Sequence, residues 1–356
     1  ALRRVQLDLD REGGGERGTC SRHRARPSSS VAVRDQVVQQ REHALPQRGV
    51  GWGQVEQFRL PPTVGREADN GRDGGVDAGR QALEAAGGQV TDEAWLEPER
   101  AADLFVSGLD RAQARAAVEA ALAGETVDAI VQEAAHRRRR LLIADMDSTM
   151  ITIECIDELA DYAGVKEQVA RVTEAAMRGE LDFEGALDAR VSLLEELEES
   201  VLERCYAERV AFTPGGAALV RTMAANGAHT VLVSGGFTFF VERVAAKLGF
   251  AQYKANVLGI RDGKLTGTVD RPIITAAVKR QTLLEESARR GIPLESCLAV
   301  GDGANDIPMI EEAGLGVAFH AKPKTEAAAS AAIRHGDLTA LLFAQGYRRE
   351  DWAAAR

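Results

Sequence analysis

Four apolar runs punctuate the second half of the chain: "LLIAD" at 141–145, "TVLVS" at 230–234, "CLAVG" at 297–301 and "LGVAF" at 315–319. Each is a nearly continuous hydrophobic stretch of strand length, as expected of strands buried on both faces. Between them, segments such as 215–227, 237–249 and 276–290 repeat their apolar positions every three to four residues, which predicts helices. Strands alternating with helices imply an α/β fold with a doubly wound parallel sheet. The interval from 153 to 212, including "KEQVARVTEAAMRGELDFEGALDARVSLLEEL", is too long for a single crossover helix. It predicts an inserted helical cap. In such sheets ligands bind beyond the carboxyl ends of the strands, so a cap inserted there covers the site.

Upstream the pattern changes. Between 75 and 135, "VDAGRQALEAAGG" and "DRAQARAAVEAALAGE" predict amphipathic helices, and "DLFVSG" and "TVDAIVQEA" predict short strands, together a small N-terminal α+β domain. Residues 1–74 are rich in Arg, Gly, Gln and Ser, and the chain opens on Ala rather than Met; this segment is expected to hold little packed structure and is read as disordered or artefactual. The larger unit is then 136–356, with the cap at about 153–212.

The chain has 356 residues, 45% of them hydrophobic, enough for a large core and a smaller one. Its net charge of −10, from 44 basic and 54 acidic residues, argues against a nucleic-acid partner or an anionic membrane surface. An anionic ligand must therefore be met by locally placed donors or a metal. Cys20, Cys155, Cys205 and Cys297 form no CxxC pair, which predicts reduced thiols and a cytoplasmic protein. No apolar run approaches the ~18 residues of a membrane helix. The six histidines are scattered without metal-ligand spacing, and Arg137 to Arg140 read as a solvated linker.

Three motifs sit directly after apolar strands. Asp145 and Asp147 follow "LLIA"; two carboxylates so close can divide nucleophilic and proton-carrying work if their surroundings separate their pKa values. Taken alone, a DxD is more often a pair of turn aspartates. "VLVSGGF" places Ser234, Gly235 and Gly236 at a strand-to-helix junction, where a hydroxyl and open amides suit a phosphate oxygen. The serine-hydrolase elbow is excluded because Leu232 stands where it needs glycine. "VGDGANDIPMI" gathers Asp302, Asn305 and Asp306 in one glycine-rich loop, hard oxygen chemistry expected for magnesium. "GIRDGKL" predicts a hairpin closed by an Asp-Gly turn.

With Lys279 in "AAVKRQTLLEE", these motifs resemble, in order, the four motifs of the haloacid dehalogenase-like phosphatases over about residues 140–345. The resemblance implies a Rossmann-like fold, Mg2+, Asp145 as nucleophile and Asp147 as proton carrier. It further implies a metal held by the Asp145 carboxylate, the Asp147 carbonyl and Asp302, with Asp306 behind them. Ser234, Gly235 and Lys279 would face phosphate, and Asn305 would contact phosphate or substrate. "DMDSTMITIECIDELA" and "LDFEGALDARVSLL" are similar to the branch of the family that hydrolyses O-phospho-L-serine, the last step of L-serine biosynthesis. That branch uses the positions of Glu154 and Arg190 for the ammonium and carboxylate of a zwitterion, and that of Phe183 to shield the site. The rivals are a phosphatase or phosphotransferase for another small monoester, such as phosphohomoserine, and an amino-acid sensor built on 75–135. The small unit resembles part of a βαββαβ ACT-type regulatory domain whose first strand is not recognisable; its other reading is a packing or dimerisation appendage, giving a homodimer.

Overall fold

The computed structural model describes residues 56–60, as backbone, and 74–353. Its N-terminal part runs β1 (Glu56–Leu60), α1 (Gly74–Ala85), β2 (Gln89–Glu97), β3 (Ala101–Ser107), α2 (Arg111–Ala121) and β4 (Gln132–Glu133). These strands form one antiparallel sheet in the order β2-β3-β1-β4, the split βαββαβ arrangement. The expectation of little packed structure before residue 75 is corrected at 56–60: β1 lies between β3 and β4. The rest of that expectation falls on 1–55 and 61–73, outside the described residues. The strand expected in "TVDAIVQEA" is reduced to the two residues of β4. The α1 helix buries Val76, Gly79 and Leu83, one face at three- and four-residue steps, and α2 starts on a capping box between Asp110 and Gln113. Leu83, Leu104, Val106 and Val118 make the core of this unit.

The larger part contains β5 (Leu141–Ala144), four cap helices α3 (Cys155–Tyr162), α4 (Lys166–Met177), α5 (Phe183–Ser192) and α6 (Ser200–Arg209), then α7 (Gly216–Ala225), β6 (His229–Phe237) and α8 (Thr238–Leu248). There follow β7 (Gln252–Asn256), a hairpin of β8 (Leu258–Arg261) and β9 (Lys264–Val269), α9 (Ala276–Arg290), β10 (Cys297–Gly301), α10 (Ile307–Glu312), β11 (Leu315–Phe319), α11 (Pro323–Ala328), β12 (Ala331–Ile333) and α12 (Ala340–Ala344). The six-stranded sheet is parallel in the order β12-β11-β10-β5-β6-β7. From β5 the chain winds outward through β6 and β7, then returns to lay β10 on β5's other side. The strand order therefore reverses between β5 and β10, where a doubly wound sheet opens its ligand crevice. Alternate β5 residues feed separate cores: Leu142 and Ala144 one, Leu141 and Ile143 the other.

The Asp-Gly turn closes the hairpin as expected, with Asp262 at φ 54° and Gly263 at φ 77°, both in the left-handed region that such a turn requires. This hairpin is bonded to the cap. The Glu196 and Glu199 amides donate to the Leu265 and Gly263 carbonyls, and the Leu265 amide donates to the Leu197 carbonyl, at 2.8–3.0 Å. Leu258, Leu265 and Val269 are buried in the main core.

The arginine run is only half a solvated linker: Arg138 and Arg140 are exposed, but Arg137 and Arg139 are held in place. Arg137 pairs with buried Asp103 at 2.5 Å and bonds the Ala344 carbonyl, while buried Arg139 donates to Gln132 and to the Glu295 carbonyl. A guanidinium offers five donors in a fixed fork, which suits it to stitching a sheet to loops with spare carbonyls. Buried Asp128 completes the junction, accepting the backbone N–H groups of Arg334, His335 and Gly336 at 2.7–3.2 Å. The three described cysteines are free and buried. Among the described residues, no helix is long and apolar enough to cross a membrane.

Candidate active site

The Asp145 N–H bonds the Val300 carbonyl at 3.0 Å, carrying the β5–β10 ladder one residue past the strand. A tight turn follows in which the Met146 carbonyl accepts the N–H groups of Thr149, Met150 and Ile151, with Ser148 at φ 54°. This turn brings both aspartates into the crevice. The Asp145 Oδ1 accepts the Met146 N–H at 2.8 Å and meets the Lys279 ammonium at 2.7 Å, which leaves Oδ2 toward the crevice. Asp147 Oδ1 accepts the Cys155 N–H at 3.1 Å, and its Oδ2 accepts the Ser234 hydroxyl at 3.3 Å. Burial pushes both carboxyls up, Asp145 far above the usual range; for Asp147 the Cys155 and Ser234 donors oppose the shift.

Lys279, which an isolated helix pattern would leave in solvent, is fully buried on α9. It bridges Asp145 and Asp306 at 2.7 Å to each. Burial opposes its charge, but the two carboxylates outweigh that and hold its pKa above the ordinary lysine value. Asp306 is pinned on both oxygens, since its Oδ2 accepts the Gly303 N–H at 3.0 Å. A Cβ on Gly301 would lie 2.3 Å from the Asp306 carboxyl carbon, so glycine is required for this close approach. Asp302 lies beside them and is pushed up to about 6 by burial and by the Asp306 charge.

Oxygens of Asp145, Asp302 and Asp306 lie within 4.8 Å of one another. Three half-buried or buried carboxylates lie together and only two of them pair with Lys279, leaving excess negative charge on hard oxygen donors. That donor set fits a divalent cation of the magnesium type. With Asp306 engaged by Lys279 and Gly303, the uncommitted oxygens belong to Asp145 and Asp302.

From the cap, Phe183 reaches down until its Cζ would stand 3.3 Å from a Cβ on Gly235. Glu154, at the start of α3, accepts the Ser148 hydroxyl at 2.7 Å. It is wetted on one side, yet desolvation on the others and the Asp147 charge lift it to about 7. Arg190 bonds the Ala186 carbonyl of its own helix and forms no ion pair among the described residues; burial lowers its pKa against the charges of Asp157, Glu154 and Asp147. Asn305 folds back toward Gly303, whose Cβ would meet its Oδ1 at 2.3 Å. Sequence reasoning missed Thr149, whose hydroxyl reaches Asp302 at 3.4 Å, and Cys155, which serves through its backbone. Thr149 stands two residues past Asp147, near enough for the same turn to have flagged it.

A parallel sheet with carboxylates, a lysine and a serine loop at its reversal point, under an inserted cap, defines a phosphoryl-transfer hydrolase architecture. Residues 142–311 match the model of the haloacid dehalogenase-like hydrolases, and the chain belongs to that family. It is 50% identical over 208 residues to a phosphoserine phosphatase of Albidiferax ferrireducens, covering 57% of this chain and 88% of that one. A phosphoserine phosphatase of Streptomyces coelicolor is 44% identical over 260 residues, 72% of this chain and 63% of the relative. A solved structure of a probable phosphoserine phosphatase from Vibrio cholerae superposes with a TM-score of 0.66 at 33% identity, covering 83% of this chain and 88% of that one.

Proposed function

We propose that this chain hydrolyses O-phospho-L-serine to L-serine and phosphate with magnesium, the final step of L-serine formation. The observation that carries the reading is the pairing of a buried Asp145–Lys279–Asp306 cluster with an unpaired cap arginine, Arg190, above it. The first is phosphoryl-transfer machinery, and the second, with Glu154, suits the two charges of an amino acid. The phosphoserine phosphatases among its relatives support the same substrate.

In this reading Asp145 Oδ2 attacks phosphorus, and the bond to the seryl oxygen breaks as Asp147 gives that oxygen a proton. Asp147 then takes a proton from the water that attacks the aspartyl-phosphate, releasing phosphate and restoring Asp145. A raised pKa lets Asp147 hold its proton until the leaving group needs it. Lys279 opposes the burial that raises the Asp145 pKa and so favours the ionised nucleophile, while Ser234 and the Gly235 backbone receive phosphate oxygens. Asp145, Asp302 and the Asp147 carbonyl would hold Mg2+, which when bound offsets phosphate charge that repels the nucleophile. Glu154 takes the ammonium, Arg190 the carboxylate, and Phe183 closes the cavity over Gly235. Asn305 lines the phosphate side, and Asp306 supports Lys279.

The test is phosphate release by the purified protein with magnesium, across phosphoserine, phosphothreonine, phosphohomoserine and sugar phosphates. Highest kcat/KM on phosphoserine, abolished by Asp145→Asn, is expected. Preference for a sugar phosphate would overturn the substrate, and an active Asp145→Asn the mechanism.

A further inference from the structure

The Ser234–Gly236 loop is a break in the ladder between β6 and β7. Val233 is in register with Lys254, but the next aligned pair is Phe237 and Asn256, so three residues of β6 face Ala255 alone on β7. Such a bulge leaves backbone groups without ladder partners. The side chain of Asn256, 1% exposed, supplies one. Its Nδ2 donates to the Gly235 carbonyl at 2.7 Å, and its Oδ1 accepts the Ile274 N–H at 2.8 Å. The partners fix which end of the amide is which, because a carbonyl only accepts and an N–H only donates.

The Gly235 carbonyl and the Gly236 N–H belong to one planar peptide and point in opposite directions. With the carbonyl held by Asn256, the Gly236 N–H is turned onto Ser234 Oγ, at 2.8 Å. That bond occupies a lone pair of Oγ, so the serine's own proton is directed into the crevice, where it now meets Asp147 Oδ2 at 3.3 Å. Four groups thus run in series from Asn256 through one peptide to the hydroxyl that faces the reacting phosphate. Gly236 packs closely against the same carboxylate, since a Cβ there would lie 2.6 Å from Asp147 Oδ2.

We propose that Asn256 is a positioning residue for phosphoryl transfer: it orients the Gly235–Gly236 peptide and, through it, the Ser234 hydroxyl. The proposal rests on the reading of this loop as the phosphate site. Asn256 touches no reacting atom itself. A purely structural Asn256, clipping the two ends of the β8–β9 hairpin through Ile274, makes a different prediction, because it alters how much enzyme is active and not how that enzyme grips phosphate.

The experiment compares wild type with Asn256→Ala, and with Asn256→Leu, which refills the volume if the alanine variant does not fold. Thermal unfolding reports the fold, and kcat, KM and inhibition by inorganic phosphate report the site, all with magnesium. Expected in the folded variant is a fall in kcat/KM of roughly tenfold or more, of the kind caused by small misplacement, with KM and the phosphate inhibition constant both raised. A lower kcat with KM and phosphate inhibition unchanged overturns the proposal, as does wild-type behaviour or the failure of both variants to fold. If wild type itself ignores phosphoserine but hydrolyses p-nitrophenyl phosphate, the substrate reading fails alone, and the same comparison on that ester still decides for Asn256.

Discussion

Lys279 and Asp145 form a 2.7 Å ion pair sealed from solvent, the lysine side chain 1% and the aspartate 7% exposed. Removing one partner of such a pair leaves uncompensated buried charge, which typically costs ~3–5 kcal/mol. Lys279→Met is therefore expected to lower the unfolding free energy by about that much in the absence of metal. Turnover should fall by ~10²-fold or more, since a fixed cation beside the transferring phosphate is gone. Denaturant unfolding and steady-state kinetics check both.

The acidic cluster makes stability depend on pH. Asp302 is held up to about 6 and Asp145 well above its ordinary value, both by burial first and by the Asp306 charge next. A carboxyl whose folded pKa exceeds its unfolded one binds its proton more tightly in the native state. Its stabilising contribution is complete below pH ~4 and is lost as pH rises through the folded value. Metal-free protein should lose on the order of 1–3 kcal/mol between pH 5 and pH 8. Added magnesium should restore more stability at pH 8 than at pH 5, as thermal unfolding at the two pH values will show.

In the proposed reading Arg190 serves substrate recognition and not the chemistry. Arg190→Ala should cost ~2–5 kcal/mol in kcat/KM for phosphoserine, the range for losing one partner of a buried charge contact. Hydrolysis of p-nitrophenyl phosphate, which lacks ammonium and carboxylate, should change by less than about threefold. Parallel assays on the two esters provide the measurement.

Asp128 supplies a contrasting case remote from the chemistry. Asp128→Ala strands three backbone N–H groups at the junction of the small sheet with residues 334–336, at a cost of ~3 kcal/mol. Thermal unfolding should reveal that loss while kcat per folded molecule stays at the wild-type value.

The elements that sequence reveals most clearly are those whose reasons are local. The strands β5, β6, β10 and β11 announce themselves because burial on both faces demands unbroken apolar runs, and Asp145, Ser234 and Asp302 are legible because they end those runs. The β1 strand escapes notice because "EQFRL" alternates polar residues and owes its place to partners more than forty residues away. The β2 strand, "QVTDEAWLE", is mostly half-buried at a sheet edge and carries acidic residues that strands disfavour. Arg137 and Arg139 read as a charge run because their acceptors, Asp103, Gln132 and the carbonyls of Glu295 and Ala344, are distant in sequence or backbone. Asn256 is invisible for the same reason: its task is created by a bulge in another strand.

The bond between the β8–β9 hairpin and the 196–199 segment has a consequence for traffic through the site. A lid hung on the 151–153 and 210–213 crossings alone could swing wide, but this one is also moored by the hairpin's two legs, at 256–258 and 269–274. Four chain passages therefore tie the cap to the sheet, so any opening either breaks the bonds to the hairpin or carries the hairpin with it. The mooring that steadies the cap thus also couples its position over the site to that of the hairpin.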